Sequence, residues 1–572
     1  MLGSAKIHWR ARGPGMIAFL VVALLIGSLA GAPASASSYD GTKLDPALLG
    51  EILADPSGDY EVIVRATPPS AADTRSDQAS RAGNALSASG GKAKFALGIV
   101  GGAAGTLKGT PLLALTHNPN VDYIYKDAKI TPAFDPLTGA SKVTTPGIVE
   151  TGAPQVWSQY GVTGRGVTVA VVDSGIDGHA DLAGRITAGI DFTSATPTVV
   201  AGGVGDPGGH GTHVAGLIAG DGTASGGSYT GVAPNANVVD VRVINAQGSS
   251  NTSIVLRGLQ WVLNNRNTYH IRVVNLSLGA TATGSYKMDP LATAAEVLTF
   301  AGLTVVVAAG NGGAGAGTIT TPGTDPYVVT VGAVDDAGTP SIADDTIATF
   351  SSRGPTLYDG LAKPDVVAPG RKMTSLRVPG STLDTLYPER RVTAPGQTVP
   401  SYFLLSGTSM AAPVVAGAAA LMLERDPTLT PKKLKKRLQK TAVPLANATS
   451  FDQGAGLISA LQAVASLDPG AEYTTPRVTD AFAKDMLRFI TGQPIVWKSL
   501  TFNGGVDSKN ITWDKITWTN ITWDNITWEN ITWEAFTWTN ITWENITWEN
   551  ITWESTPSLS TGSLSTTWTT VY

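Results

Sequence analysis

Four apolar runs constrain this chain more than any other feature: GVTVAVVD (166–173), ANVVDVRV (236–243), IRVVNLSLG (271–279) and LTVVVAAGN (303–311). None alternates between apolar and polar residues as a half-exposed strand would. A strand of this kind must be covered on both faces, as in a parallel sheet with helices above and below. Helical patterns fall between the runs, so 148–468 reads as a βαβ succession. Such sheets bind ligands at the carboxyl ends of their strands. Asp173, Ser277 and Asn311 lie at or just after those ends.

At 572 residues the chain exceeds one ordinary domain, and 42% apolar residues suffice for a large core. Net charge is −5 and no long basic block occurs, which argues against a nucleic-acid partner. KKLKKRL (432–438) reads as the solvated face of a helix. Cysteine is absent, so the chain has neither disulfides, a thiol nucleophile nor a Cys-based zinc site. The N-terminus has the layout of a secretory signal peptide: Lys6, Arg10 and Arg12, then MIAFLVVALLIGSLAG (16–31), then Ala34 and Ala36 in an A-x-A pattern. A secreted, extracellular protein is therefore expected.

The expected divisions are a signal peptide at 1–36, a small α+β unit at 37–140, the parallel-sheet unit at 141–468, a linker at 469–509, repeats at 510–554 and a Ser/Thr-rich tail at 555–572. Within the small unit, YEVIVRA (60–66) and NVDYIYKDAKI (120–130) are expected strands and PLLALTHNP (111–119) a helix, with Gly/Ala/Ser-rich sequence between and a flexible segment over 131–147. The repeats are nine five-residue units, mostly NITWE or NITWD, with KITWT and AFTWT as variants. An odd period conflicts with one continuous flat strand, because side chains alternate with a period of two. A short solenoid or repeated tight turns suit it better. The repeats carry nine tryptophans, which could serve a cell-surface polymer and surface association, or only a spacer.

Three segments carry chemistry: VVDSGID (171–177), GGHGTHVAGLIAG (208–220) and LSGTSMAAPVVAG (405–417). Taken singly, each has a plainer reading. Asp173 could cap a turn, His210 and His213 could pair on a metal, and Ser409 could be a helix N-cap. The zinc-protease pattern HExxH is not met, since the second histidine comes too early and no glutamate follows the first. In this order the segments resemble the subtilisin-like serine proteases (subtilases), whose triad runs Asp, His, Ser. VVNLSLG (273–279), VVAAGN (306–311), FSSRGP (350–355), KPDVVAPG (363–370) and DQGAGLISALQAV (452–464) resemble the same family.

The resemblance implies a doubly wound, mostly parallel α/β sheet with helices on both faces, and a serine endopeptidase acting through an acyl-enzyme. Asp173, His210 and Ser409 would be catalytic, Asn311 would complete the oxyanion hole, and His213 would pack or hydrogen-bond. Ser277, Leu278 and Gly279 would bind the substrate backbone by β-augmentation. Ala308, Ala309 and Gly310, with TTPG (320–323), would wall the pocket for the residue before the cut. A bulky apolar residue is expected there, with Asp325 as a counter-indication. No cofactor is needed for catalysis. Family members often bind structural calcium, and Asp181 in GIDGHADL is a candidate ligand, although 221–234 lacks a ligand-bearing loop. The metal set is thus unknown. The 37–140 unit would be an inhibitory propeptide, removed by self-cleavage within 131–147, and the partners would be peptide substrates and this propeptide. A non-catalytic surface adhesin on the same scaffold is the alternative. An α/β-hydrolase fails on the order of its triad.

Overall fold

The structure, a computed structural model, describes residues 39–67, 75–134 and 146–466, and short strands between 512 and 553. The expected leader, the 469–509 linker and the 555–572 tail lie outside the described residues.

The N-terminal unit is an antiparallel sheet of β1 (Asp59–Ala66), β2 (Lys92–Leu97), β3 (Gly102–Lys108) and β4 (Val121–Lys126), in the order β2-β3-β1-β4. Val62 and Val64 of β1 face one way, into a cluster with Leu48 and Ile52 of the Pro46–Ala54 helix and Ala82 and Leu86 of the Arg75–Ala88 helix. The Gly/Ala-rich stretch, expected only as a connection, contains β3, one of the two inner strands. Its small residues allow close strand approach: a Cβ at Gly105 would sit 2.3 Å from the Lys92 carbonyl oxygen. The helix expected at 111–119 spans Gly109–Leu115. The strand expected over 120–130 is two strands, β4 and β5 (Lys129–Pro132), and β5 joins a different sheet. The break lies at Asp127, whose carboxylate leaves β4 to accept hydrogen bonds from Ser253.

The second unit is built on β6 (Thr168–Asp173), β7 (Ile186–Asp191), β8 (Asn237–Arg242), β9 (Ser250–Asn251), β10 (Ile271–Leu276), β11 (Leu278–Gly279), β12 (Thr304–Ala308), β13 (Val329–Asp335), β14 (Thr346–Ile347) and β15 (Val366–Pro369). The main sheet runs β14-β13-β12-β10-β6-β8-β7, with β15 also on β13. Every pairing is parallel except β13–β14. Along β6, Val169 and Val171 enter one buried cluster and Ala170 and Val172 the other. The His210–Ala219 and Thr408–Arg425 helices contribute to the first, and the Thr252–Asn265 and Pro290–Phe300 helices to the second. Burial on both faces explains why the apolar runs do not alternate. β9 and β11 stand outside this sheet and flank β5.

In the repeat region each short strand pairs in parallel with the strand four repeats farther along, Thr512 with Thr532, Trp518 with Trp538 and Thr522 with Thr542. The register of these pairings therefore recurs every four repeats, twenty residues apart.

Candidate active site

Asp173 ends β6 and is fully buried. Its Oδ1 lies 2.8 Å from His210 Nδ1 and accepts from Ser174 N at 2.7 Å. A buried carboxylate needs such partners, because leaving its charge unpaired would be costly. The contact fixes the imidazole so that Nε2 is the atom left for chemistry. That Nε2 is buried and has no hydrogen-bond partner among the described residues. His210 is the first residue of its helix, and the approach of helix to strand is held by Asp206. Asp206 Oδ1 accepts from Gly209 N at 2.7 Å and Ser174 Oγ at 2.8 Å, and its Oδ2 accepts from Thr212 N and Thr212 Oγ1 at 2.8 Å each. Burial raises the Asp206 carboxyl above its ordinary range, against these four donors.

Ser409 lies in the first turn of the Thr408–Arg425 helix and is fully buried. Its Oγ donates to the Ser277 carbonyl at 2.8 Å, and Ser277 Oγ donates back to the Ser409 carbonyl at 2.8 Å. The structure thus brings His210 to Asp173 and Ser409 to Ser277, and the Ser409 hydroxyl makes no bond to His210. Asn311 follows the end of β12. Its Oδ1 accepts from Thr408 N at 3.0 Å and Thr408 Oγ1 at 2.9 Å, while Nδ2 is buried without a partner. Using the carbonyl end of the amide against Thr408 leaves the N–H₂ end free to donate.

The chain's own β5 runs towards Ser409. It lies between β11 and β9, with Leu278 opposite Pro132, Gly279 opposite Thr131 and Ser250 opposite Ile130. Ala133 continues it, donating its N–H to the Ser277 carbonyl at 3.3 Å and accepting from Ser409 N at 3.1 Å. The space beside Gly407 is bordered by the Ala133 oxygen, Phe134 Cα and Asn311 Nδ2, at 2.4, 2.7 and 3.2 Å from where a Cβ would stand. The free amide donor of Asn311 and the Ala133 carbonyl therefore share one small volume. The Phe134 ring is 6.0 Å from the His210 imidazole. Residues 133 and 134 bridge Ser409 and His210.

The other expected site residues fall as follows. Ala308 ends β12, and the Ala309 carbonyl accepts from Thr320 N at 3.0 Å. Ala308–Gly310 and Thr320–Gly323 thus meet, opposite Ser277–Gly279. His213 Nε2 lies 3.2 and 3.1 Å from the Met373 and Phe403 carbonyls, and burial pushes its pKa down to about 3, so it is a neutral packing residue. Asp325 is buried, with Oδ1 accepting from Tyr327 N at 2.7 Å as a local turn cap. Asp181, the expected calcium ligand, is fully buried. Its oxygens already accept from Ala224 N at 2.7 Å and Tyr402 OH at 2.6 Å, and no group of three or more His, Cys, Asp or Glu that could hold a metal occurs among the described residues. Sequence reasoning missed Asp206, Thr408 and the second cleft edge, Ser250–Asn251. Asp206 had a local signal, an acid just ahead of a helix N-terminus. The other two depend on long-range contacts.

Residues 164–456 match the model of the subtilase family. Serine protease AprX of Bacillus subtilis is 40% identical over 355 residues, 61% of this chain and 76% of that protein. Subtilisin E of the same species is 35% identical over 377 residues, 65% of this chain and 83% of that protein. Among solved structures, fervidolysin of Fervidobacterium pennivorans, described as a keratinolytic enzyme related to subtilisin, aligns with a TM-score of 0.55 at 25% identity. That alignment covers 72% of this chain and 61% of fervidolysin.

Proposed function

Since the chain belongs to the subtilase family and is a serine-type endopeptidase, we propose that Asp173, His210 and Ser409 are its catalytic triad and Asn311 its oxyanion donor. Catalysis in this family uses side chains and backbone alone. A serine hydroxyl is a weak nucleophile at neutral pH and needs a base. His210 Nε2, oriented through Nδ1 by Asp173, takes the Ser409 proton and later delivers it to the leaving amine. The Ser409 N–H, at a helix start, and Asn311 Nδ2 receive the oxyanion. Ser277–Gly279 and Ser250–Asn251 hold the substrate as an added strand.

The observation that carries this reading is the Ala133 carbonyl on Ser409 N at 3.1 Å, because it puts a peptide carbonyl where those donors converge. The same observation supports a zymogen. Residues 1–36 direct export, and 37–140 form a propeptide whose C-terminal strand lies in the cleft as an inhibitor.

Fluorophosphonate labelling and intact mass of the folded, leader-free protein test this, beside its Ser409→Ala variant. Wild type should shed its N-terminal unit and label at Ser409, while the variant should do neither. Cleavage of both alike would assign the processing to another protease, and no labelling of a folded wild type would refute the triad. Asn311→Ala should lower kcat by about 10²–10³, the loss known for subtilisin's own oxyanion asparagine.

A further inference from the structure

Gly279 and Gly310, from the two segments expected to border the residue before the cut, converge on one side chain, Thr320. A Cβ at Gly310 would meet Thr320 Cγ2 at 2.7 Å and Oγ1 at 2.8 Å, and one at Gly279 would meet the same Oγ1 at 2.9 Å. Thr320 is tied down: its N and Oγ1 both donate to the Ala309 carbonyl, at 3.0 and 3.2 Å. A β-branched side chain with its hydroxyl bonded has little rotamer freedom to swing aside. Thr320 therefore fills the space between these two backbone segments, and the residue whose carbonyl sits on Ser409 N is an alanine. Three residues earlier, Ile130 is fully buried between β9 and β11, whereas Thr131 is exposed and Pro132 half-buried.

We infer that the first bond this protease cuts is its own Ala133–Phe134 bond, and that Thr320 restricts the residue before the cut to a small side chain. The substrate class is a peptide with a branched apolar residue, two tolerant positions and then a small residue. This reverses the expectation of a bulky residue there. The inference rests on Ser409 being the nucleophile.

Ser409 Oγ adds to the Ala133 carbonyl carbon while its proton passes to His210 Nε2, and the carbonyl oxygen takes the negative charge beside Ser409 N and Asn311 Nδ2. The bond from the Ala133 carbonyl carbon to the Phe134 nitrogen then breaks, and His210 returns the proton to that nitrogen. The chain from Phe134 onward leaves with a free amine. Water, deprotonated by His210, splits the ester. The products are an Ala133 carboxylate and free Ser409.

N-terminal sequencing of the self-processed full chain should give Phe134 as the first residue of the earliest product. The processed enzyme should hydrolyse succinyl-Ile-Thr-Pro-Ala p-nitroanilide with a kcat/KM at least about tenfold above that for the same peptide ending in Phe. Thr320→Gly should shift that ratio towards Phe by about tenfold or more. Thr320→Ser, which keeps the hydroxyl, should shift it less. Fluorophosphonate labelling of each variant shows that the site is folded. A first product beginning elsewhere, a wild-type preference for Phe, or an unchanged ratio in a labelled Thr320→Gly enzyme would overturn the inference while leaving Ser409 as nucleophile. Failure of wild type to label refutes the triad itself.

Discussion

In the main sheet, both faces of β6 are covered by helices of the same unit: Val169 and Val171 lie in one cluster and Ala170 and Val172 in the other. In the N-terminal sheet only one face is so covered. Val62 and Val64 pack under their own helices, but Ile63, Tyr123 and Tyr125 share a cluster with Leu256, Leu259 and Leu298 of the main unit's helices. The dependence is therefore unequal. The main unit can bury its central sheet without the N-terminal unit, whereas the N-terminal unit leaves a sheet face bare when it departs. An inhibitor built this way keeps its helix-covered cluster when released but exposes the apolar residues of its other sheet face to water.

Ile63→Ala strikes that contrast hardest. In a Ser409→Ala background, which keeps the units joined, removing this fully buried side chain should cost about 2–5 kcal/mol. Hydrogen exchange should show the loss as weaker protection across 59–126, with protection across β6, β10 and β12 unchanged. Equal loss in both sheets would mean that the units depend on each other mutually.

That division was only partly legible in the sequence. The apolar runs of β6, β8, β10 and β12 follow from local composition, since burial on both faces tolerates no polar alternation. The motifs around Asp173, His210 and Ser409 could be read at their places because each is a contiguous stretch. The tie between strands and clefts could not. Lys129–Pro132 looks like the frayed end of a strand, and its partners, Ser250–Asn251 and Leu278–Gly279, lie more than a hundred residues away. Thr320 is legible only as part of a wall, because what it does depends on Gly279 and Gly310 converging on it. Asp127 likewise reads as a mid-strand residue, because only the fold brings Ser253 opposite it.

Asp127 offers a finer cut at the same interface. The Thr252–Asn265 helix receives no side-chain cap from its own N-cap residue, Asn251. Asp127 supplies one from the other unit, accepting from Ser253 N at 2.8 Å and Ser253 Oγ at 2.7 Å. Losing a cap costs about 1 kcal/mol. Asp127→Ala should thus speed release of the cleaved N-terminal unit about fivefold, and Asp127→Asn less, since its amide oxygen can still accept. An unchanged release rate in both variants would reduce the cap to a bystander and leave the docking energy to the apolar face and the main-chain pairing of β5.

The smallest effect is the pH dependence of that same contact, and its sign follows from the environment. Burial is the largest influence on the Asp127 carboxyl and raises its pKa above the ordinary 3.8. The Ser253 donors and Lys94 work against this, and Glu61 adds to it. Once the unit leaves, water restores the ordinary value, so the docked state holds its proton up to a higher pH than the free state. The linkage contribution to docking is then fully present below 3.8 and is lost as pH rises through the raised value. Dissociation of the cleaved N-terminal unit should therefore quicken as pH climbs from 3.8, with a slope shallower than tenfold per pH unit, because one proton is involved. Asp127→Asn should flatten the profile in that window while wild type keeps its slope. If both profiles rise together, the proton belongs to another group, and the asymmetry between the two sheets is carried by apolar burial alone.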